Sequence, residues 1–186
     1  FMFGPQGSGK GTQTKLLADK LGFFIWDTGQ ALRDHREMMT SSGQKVGDIL
    51  DSGRLFTDEE LLSVVGPLIK AIPAEQGVIF DGIPRRLGQA QFMIDFLREQ
   101  NRSKLATVAL ELSDEESLKR LLLRAEKEGR ADDTEEKIKY RLQQYHNETE
   151  PILDFMKEHT EYFSIDGKPA VPEVEKSIDQ ALGLTQ

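Results

Sequence analysis

Short apolar runs alternate with amphipathic stretches along the whole chain. Phe1-Met2-Phe3, Phe23-Phe24-Ile25-Trp26, Val78-Ile79-Phe80, Leu105 to Leu112 and Tyr162-Phe163-Ser164-Ile165 are each eight residues or shorter and are followed by Gly, Asp or Ser. That length and punctuation predict five strands. Between them lie helices with readable ends. Ser113 followed by Glu116 forms a capping-box pattern, and Leu118, Leu121, Leu122 and Ala125 then mark one apolar face. Arg120 and Arg124 sit one turn apart on a different face. Asp133 and Glu136 repeat the cap, ahead of a second stripe at Ile138, Leu142 and Tyr145, and Pro151 is expected to break or kink that run near Glu150. Strands alternating with helices predict βαβ units around a mostly parallel sheet. No repeat or low-complexity linker divides residues 1–186, so the chain reads as a single α/β domain.

Composition narrows the function. The net charge of −8 repels a polyanion, so no nucleic-acid partner is expected. No apolar run reaches the length of a membrane span, and no membrane partner is expected either. The chain has no cysteine, which removes disulfides, thiolate zinc sites and cysteine nucleophiles and suits a reducing compartment. His35, His146 and His159 fall on predicted helices without a second ligand at metal spacing and read as surface residues.

The clearest chemical signal is Gly4-Pro5-Gln6-Gly7-Ser8-Gly9-Lys10-Gly11-Thr12, placed after a strand and before an amphipathic helix. Glycines let backbone amides approach phosphate oxygens, the helix start adds unpaired N–H groups, and Lys10 supplies a compact charge for the β- and γ-phosphates. A glycine-rich turn that binds nothing is the alternative. The general phosphate-loop pattern wants a hydroxyl at the position of Gly11, whereas here it comes one residue later, at Thr12.

That variant resembles the loop of adenylate kinases and related nucleoside monophosphate kinases, and three further segments resemble the same family in order and spacing. Asp81-Gly82-Ile83-Pro84-Arg85 is similar to its strand-end Asp-Gly-aromatic-Pro-Arg signature, with Ile83 in the aromatic position. Asp27-Thr28-Gly29-Gln30-Ala31-Leu32-Arg33 is similar to its Ser-Thr-Gly-Asp-x-x-Arg segment. Gly129-Arg130-Ala131-Asp132-Asp133, with Arg141 beyond it, resembles a lid too short for the zinc-carrying insertion of some members.

The resemblance implies a P-loop, three-layer fold with a five-stranded parallel sheet and two mobile parts, residues 28–56 over AMP and residues 124–133 over ATP. It implies transfer of a phosphoryl group from ATP to AMP, with ADP as the product, in a cytoplasmic monomer using magnesium and no zinc. Gly7, Ser8, Gly9, Lys10, Gly11 and Thr12 would hold ATP phosphates, Arg120 and Arg124 would reach the same nucleotide, and the turn at Pro169 would contact its adenine. Arg33 and Arg85 would grip the AMP phosphate, and Arg130 and Arg141 would bridge toward the transferring group. Gly82, Ile83 and Pro84 fall in the AMP signature, while Leu50, Arg54, Leu55 and Phe56 would line the AMP pocket, with ordinary core packing an equal reading for the apolar three. Thr28 and Gln89 match adenine-recognising positions, and Thr28 fits a helix N-cap equally well. Asp81 would hold magnesium through water, beside Thr12; a helix cap or an ion pair with a nearby arginine is its other reading. Any single arginine alone reads as a solvated surface residue. Asp27, Gln30 and Arg86 depart from the family pattern. Two rivals remain open: a UMP/CMP kinase of the same fold, and a catalytically silent ATP-binding switch.

Overall fold

The computed structural model describes residues 1–52, 54, 56–128 and 134–184. Five strands, β1 (Met2–Phe3), β2 (Phe24–Asp27), β3 (Val78–Asp81), β4 (Ala106–Glu111) and β5 (Glu161–Asp166), form one sheet in the order β2-β3-β1-β4-β5. Every pairing is parallel. The strand positions read from the apolar runs hold to within a residue or two at each end. Successive side chains of a strand point to opposite faces, and here both faces are apolar. Met2, Ile79, Val108 and Leu110 go to one side, against Leu17 and Ala18 of α1 (Lys10–Leu21) and Val174 and Ile178 of α9 (Val171–Ala181).

Phe3, Phe80 and Ala109 go to the other side. There they meet α4 (Asp58–Lys70), α5 (Leu87–Glu99) and α8 (Ile152–His159). The α5 stripe Ala90, Met93, Ile94, Leu97 has helical spacing and is buried to 1% exposure or less. The result is the three-layer α/β fold expected from the sequence, with the sheet buried on both faces.

Two smaller apolar clusters flank this core, the first touching it through Leu61 and Leu68. One is built on Leu32, Val46 and Val64, joining α2 (Thr28–Asp34), α3 (Val46–Ser52) and α4. The other is Leu121, Ile138 and Leu142, joining α6 (Asp114–Glu128) to α7 (Glu135–Gln144).

Local signals explain the helix ends. Ser113 Oγ accepts from the Glu116 N–H at 3.3 Å, as the capping pattern predicts. The cap of α7 is a correction. It is Thr134, whose Oγ1 accepts from the Lys137 N–H at 3.4 Å, while Asp133 lies outside the described residues. Pro151 breaks the run as expected, through a π-turn at Tyr145–Thr149 closed by the Glu150 N–H on the Tyr145 carbonyl at 2.8 Å. A proline has no N–H to continue the ladder and crowds the carbonyl four residues back, so the helix re-registers before it. His146 is exposed, yet it is held between Asp114 Oδ1 at 2.8 Å and Glu150 Oε2 at 2.6 Å, and those two carboxylates, Glu150 foremost, push its pKa up.

The Arg54–Glu60 ion pair ties the segment between β2 and α4 to α4. Arg54 donates to both Glu60 oxygens, at 2.8 and 2.7 Å, and to Gln44. Glu60 is only 4% exposed, and it also accepts from the Thr57 N–H at 3.0 Å and the Ser42 hydroxyl at 2.6 Å. The Thr57–Glu60 pair is a complete capping box on α4. Arg54 first, then Ser42 and Thr57, hold the Glu60 carboxyl far below the usual carboxylate range. A depressed folded-state pKa means the stabilisation is present above about pH 4.5, the ordinary glutamate value, and is lost as pH falls below it. Glu60→Gln should therefore lower the melting temperature at neutral pH and flatten its fall between about pH 5 and 3. Thermal unfolding followed by circular dichroism checks this, and parallel curves for the two proteins would contradict it.

Candidate functional site

β1 lies at the centre of the sheet, with β3 on one side and β4 on the other, so the crevice beyond its carboxyl end is a topological switch point. The glycine-rich loop leaves β1 there. Gly4 has φ +143°, and a Cβ on it would stand 2.7 Å from the Leu110 carbonyl and 2.8 Å from Ser8 Oγ, so only glycine fits. Gly9, at φ 91° and ψ 7°, is the N-cap of α1. The first backbone bonds of α1 run from Thr12 N and Gln13 N to Gly9 O at 3.0 Å, while Ser8 N turns back to the Pro5 carbonyl at 3.2 Å; the N–H groups a helix start leaves without intrahelical partners make it a ready anion site. Ser8 Oγ and Gln6 Oε1 are buried without a hydrogen-bond partner among the described residues. An unpaired buried hydroxyl in such a loop is what a phosphate oxygen would satisfy.

Lys10 is half-buried, its Nζ donating to the Gly4 carbonyl at 2.8 Å and the Pro5 carbonyl at 3.4 Å. Burial pushes its pKa down, the field of Asp81 opposes that shift, and the field of Arg85 adds to it. Asp81 ends β3 in register with Met2 of β1 and Asp27 of β2. It neither caps a helix nor forms an ion pair within 4 Å among the described residues, so its two alternative readings find no support. Thr12 lies exposed in the first turn of α1. A carboxylate and a hydroxyl beside a phosphate loop are hard oxygen donors, which fit a magnesium ion carried on nucleotide phosphates.

On the β2 and β3 side the second half of the site assembles. Asp27, and not Thr28, is the N-cap of α2: its carboxylate accepts from the Gln30 N–H at 2.9 Å. Thr28 is buried, and its hydroxyl oxygen accepts from the Trp26 indole N–H at 3.0 Å. Gly82 sits at φ +84°, with Thr28 and the Arg85 guanidinium within 4.0 Å of the point where a Cβ would stand. Arg85 Nε donates to the Gly82 carbonyl at 3.0 Å. Ile83 and Pro84 are buried beneath this corner. Gln89 is buried too, its Oε1 accepting from the Arg85 N–H at 2.9 Å and its Nε2 donating to Asp58 at 2.7 Å. Arg33 is exposed and donates to Gln30 Oε1 at 3.0 Å. Leu50 and Phe56 pack on the Leu32–Val46–Val64 cluster, and the guanidinium of Arg54 is taken by Glu60. Leu55 lies outside the described residues.

Toward β4 and β5, Arg120 is a strut. It donates to Glu116 Oε1 at 3.0 Å, the Gly167 carbonyl at 2.9 Å and the Lys168 carbonyl at 2.7 Å, next to the exposed Pro169. A Cβ on Gly167 would come within 3.1 Å of the Ser8 carbonyl, so this turn lies directly on the phosphate loop. Arg124 follows one turn later on α6, and Arg141 stands on α7 with its Nε 3.4 Å from the Lys137 carbonyl. Arg130 lies outside the described residues.

Arg86 went unassigned in the sequence, and the structure gives it a place. Its Nε donates to Glu148 at 2.9 Å, its Nη1 is 3.6 Å from Asp58, and Thr149 Oγ1 donates to the neighbouring Arg85 carbonyl at 3.3 Å. Those partners lie far away in the chain, so no local signal could have shown them.

The sequence profile of a family described as Adenylate kinase matches residues 2–161. The chain is 37% identical to an adenylate kinase of Maricaulis maris over 97% of this chain and 96% of that relative. It is 41% identical to one of Thermus thermophilus, covering 97% and 95%, and 40% identical to one of Micrococcus luteus, covering 97% and 88%. A match that runs from β1 to the start of β5, with the phosphate loop and the Asp-Gly-x-Pro-Arg corner on facing sides of one crevice, makes this chain a member of the adenylate kinase family.

Proposed function

We propose that this chain catalyses reversible transfer of the terminal phosphoryl group of ATP to AMP, giving two ADP, and that the crevice beyond β1 is where the two nucleotides meet. The observation that carries the site is geometric: the glycine loop leaves β1 with Ser8 Oγ buried and unpaired among the described residues and Lys10 held on its carbonyls, while Asp81, in register with Met2, ends the neighbouring strand β3. An AMP phosphate oxygen attacks the γ-phosphorus of ATP, and the bond to the β,γ-bridging oxygen breaks, so ADP leaves as the second ADP forms. No side chain needs to become a nucleophile. Lys10, released from the Gly4 and Pro5 carbonyls, would turn its ammonium onto the β- and γ-phosphates. Arg33 and Arg85 would grip AMP, Arg124, Arg130 and Arg141 would neutralise charge at the transferring group, and Arg120 with the Pro169 turn would support the ATP base. Magnesium, held by Asp81 through water and near Thr12, supplies further charge neutralisation at the phosphates when bound.

Residues 28–56 and 124–133 would close over AMP and ATP. Residues 28–56 contribute to the cluster around Leu32, Val46 and Val64, and α6, which leads into residues 124–133, contributes to the cluster around Leu121, Ile138 and Leu142. Both phosphate clamps belong to one chain, so a monomer suffices. The absence of cysteine suits the reducing cytoplasm, and no described helix is long and apolar enough to cross a membrane.

A coupled assay of ADP formation with AMP, CMP, UMP and GMP as acceptors tests this reading. AMP should exceed CMP and UMP in kcat/KM by at least about a hundredfold, at roughly 1–3 kcal/mol per buried hydrogen bond lost. Lys10→Met should cost AMP turnover roughly 10²–10³-fold while the protein stays folded. Comparable use of CMP or UMP would favour the pyrimidine kinase, and no turnover with any acceptor would favour the silent switch.

A further inference from the structure

Gln89 is 5% exposed, and its terminal amide is gripped from two sides. The Arg85 N–H donates to Oε1 at 2.9 Å, and Nε2 donates to Asp58 Oδ1 at 2.7 Å. A backbone N–H can only donate and an ionised carboxylate can only accept. Both contacts are therefore satisfied in a single orientation of the amide. Turned by half a revolution, Oε1 would face the Asp58 carboxylate and the NH₂ group would face the Arg85 N–H, leaving buried polar groups in repulsion.

We propose that Asp58 is a specificity-determining positioning residue: by fixing which end of the Gln89 amide donates, it makes the acceptor site take a 6-amino purine monophosphate and reject a 6-oxo one. This rests on the reading that Gln89 faces the acceptor base. After its two protein contacts the amide keeps one lone pair on oxygen and one hydrogen on nitrogen. A 6-aminopurine matches both on its Watson–Crick edge, since its exocyclic amine donates to Oε1 and its ring N1 accepts from Nε2. A 6-oxopurine reverses both roles, setting its oxygen against Oε1 and its N1–H against Nε2. A glutamine free to rotate would escape that clash by flipping and would discriminate poorly. A glutamine held at both ends cannot.

The carboxylate is itself held. Asp58 is the first residue of α4, directly after the Thr57 cap, and a Cβ on Gly88 at the start of α5 would stand 3.1 Å from its Oδ2. Arg86 Nη1 lies 3.6 Å from Oδ1, and Arg86 is in turn fixed by Glu148 at 2.9 Å.

Inosine monophosphate differs from AMP at position 6 and in the N1 proton that goes with it, so it isolates the effect. The kcat/KM for each acceptor, with ATP as donor, is measured for the unmodified chain, Asp58→Asn, Asp58→Ala and Gln89→Ala, with folding checked by circular dichroism. An amide at position 58 accepts or donates as required, so Asp58→Asn should lower the AMP-to-inosine ratio by at least about tenfold, chiefly by raising turnover of inosine monophosphate. Asp58→Ala, which removes the acceptor outright, should lower the ratio as well and serves if the first variant fails to fold. An equal loss for both acceptors, with the ratio unchanged, would mean that Asp58 only supports α4 and would overturn the proposal. If Gln89→Ala erodes the ratio while neither Asp58 variant does, Gln89 reads the base without Asp58 and the lock alone falls. A ratio unchanged in Gln89→Ala would remove the underlying reading and the lock with it.

Discussion

About six negative charges must come together when ATP meets AMP, and they must do so on a protein whose own net charge is −8. A global excess of carboxylates leaves the attraction to be supplied locally. The fold does this by ending β1 at the centre of the sheet in a loop of glycines, with Lys10 held on that loop's own carbonyls. Burial without phosphate disfavours the ammonium, and Asp81 offsets part of that cost. The Lys10 ammonium thus ties the loop to its own carbonyls. In the proposed reaction the same ammonium would exchange neutral carbonyls for anionic oxygens, a contact that a low dielectric strengthens.

The acceptor half depends on the same economy of charge. The Arg85 guanidinium stays with Gly82, beside Thr28, because the backbone around it is pinned from both sides: Gln89 takes its N–H, and Thr149 donates to its carbonyl. Arg86 joins those two sides, reaching Asp58 at the start of α4 and Glu148 in the π-turn before Pro151. A break in a helix forced by one proline therefore places a carboxylate where it steadies the acceptor corner. Arg54 and Glu60 do similar work one step further out, closing the segment that would cover AMP.

The strands were legible because each is a short apolar run between turn residues, and the three-layer arrangement followed from their alternation with helices. The glycine-rich loop was legible because its glycines and lysine are contiguous. Other features depended on partners far apart in the chain. Nothing near Arg86 in sequence points to Glu148, and nothing near Gln89 points to Asp58. Arg54 reads as a pocket residue until Glu60, six positions on, claims its guanidinium; the Thr57–Glu60 capping pattern was the one local hint. Thr28 fits an N-cap until Asp27 is seen to fill that role and Trp26 is seen to bind the threonine hydroxyl. The start of α7 was read one residue away from the true cap because Asp133 and Thr134 are both good capping residues.

The central claim is that two nucleotide sites on one chain converge on a single transfer point. Titration calorimetry with a ligand that joins two adenosines through five phosphates tests it most directly, because such a molecule spans both sites only if they face each other at the right distance. Occupying the second site then becomes an intramolecular event, and the dissociation constant should lie at least about a hundredfold below that of ATP or AMP alone. Binding no tighter than ATP would contradict the account and leave one nucleotide site where two are claimed.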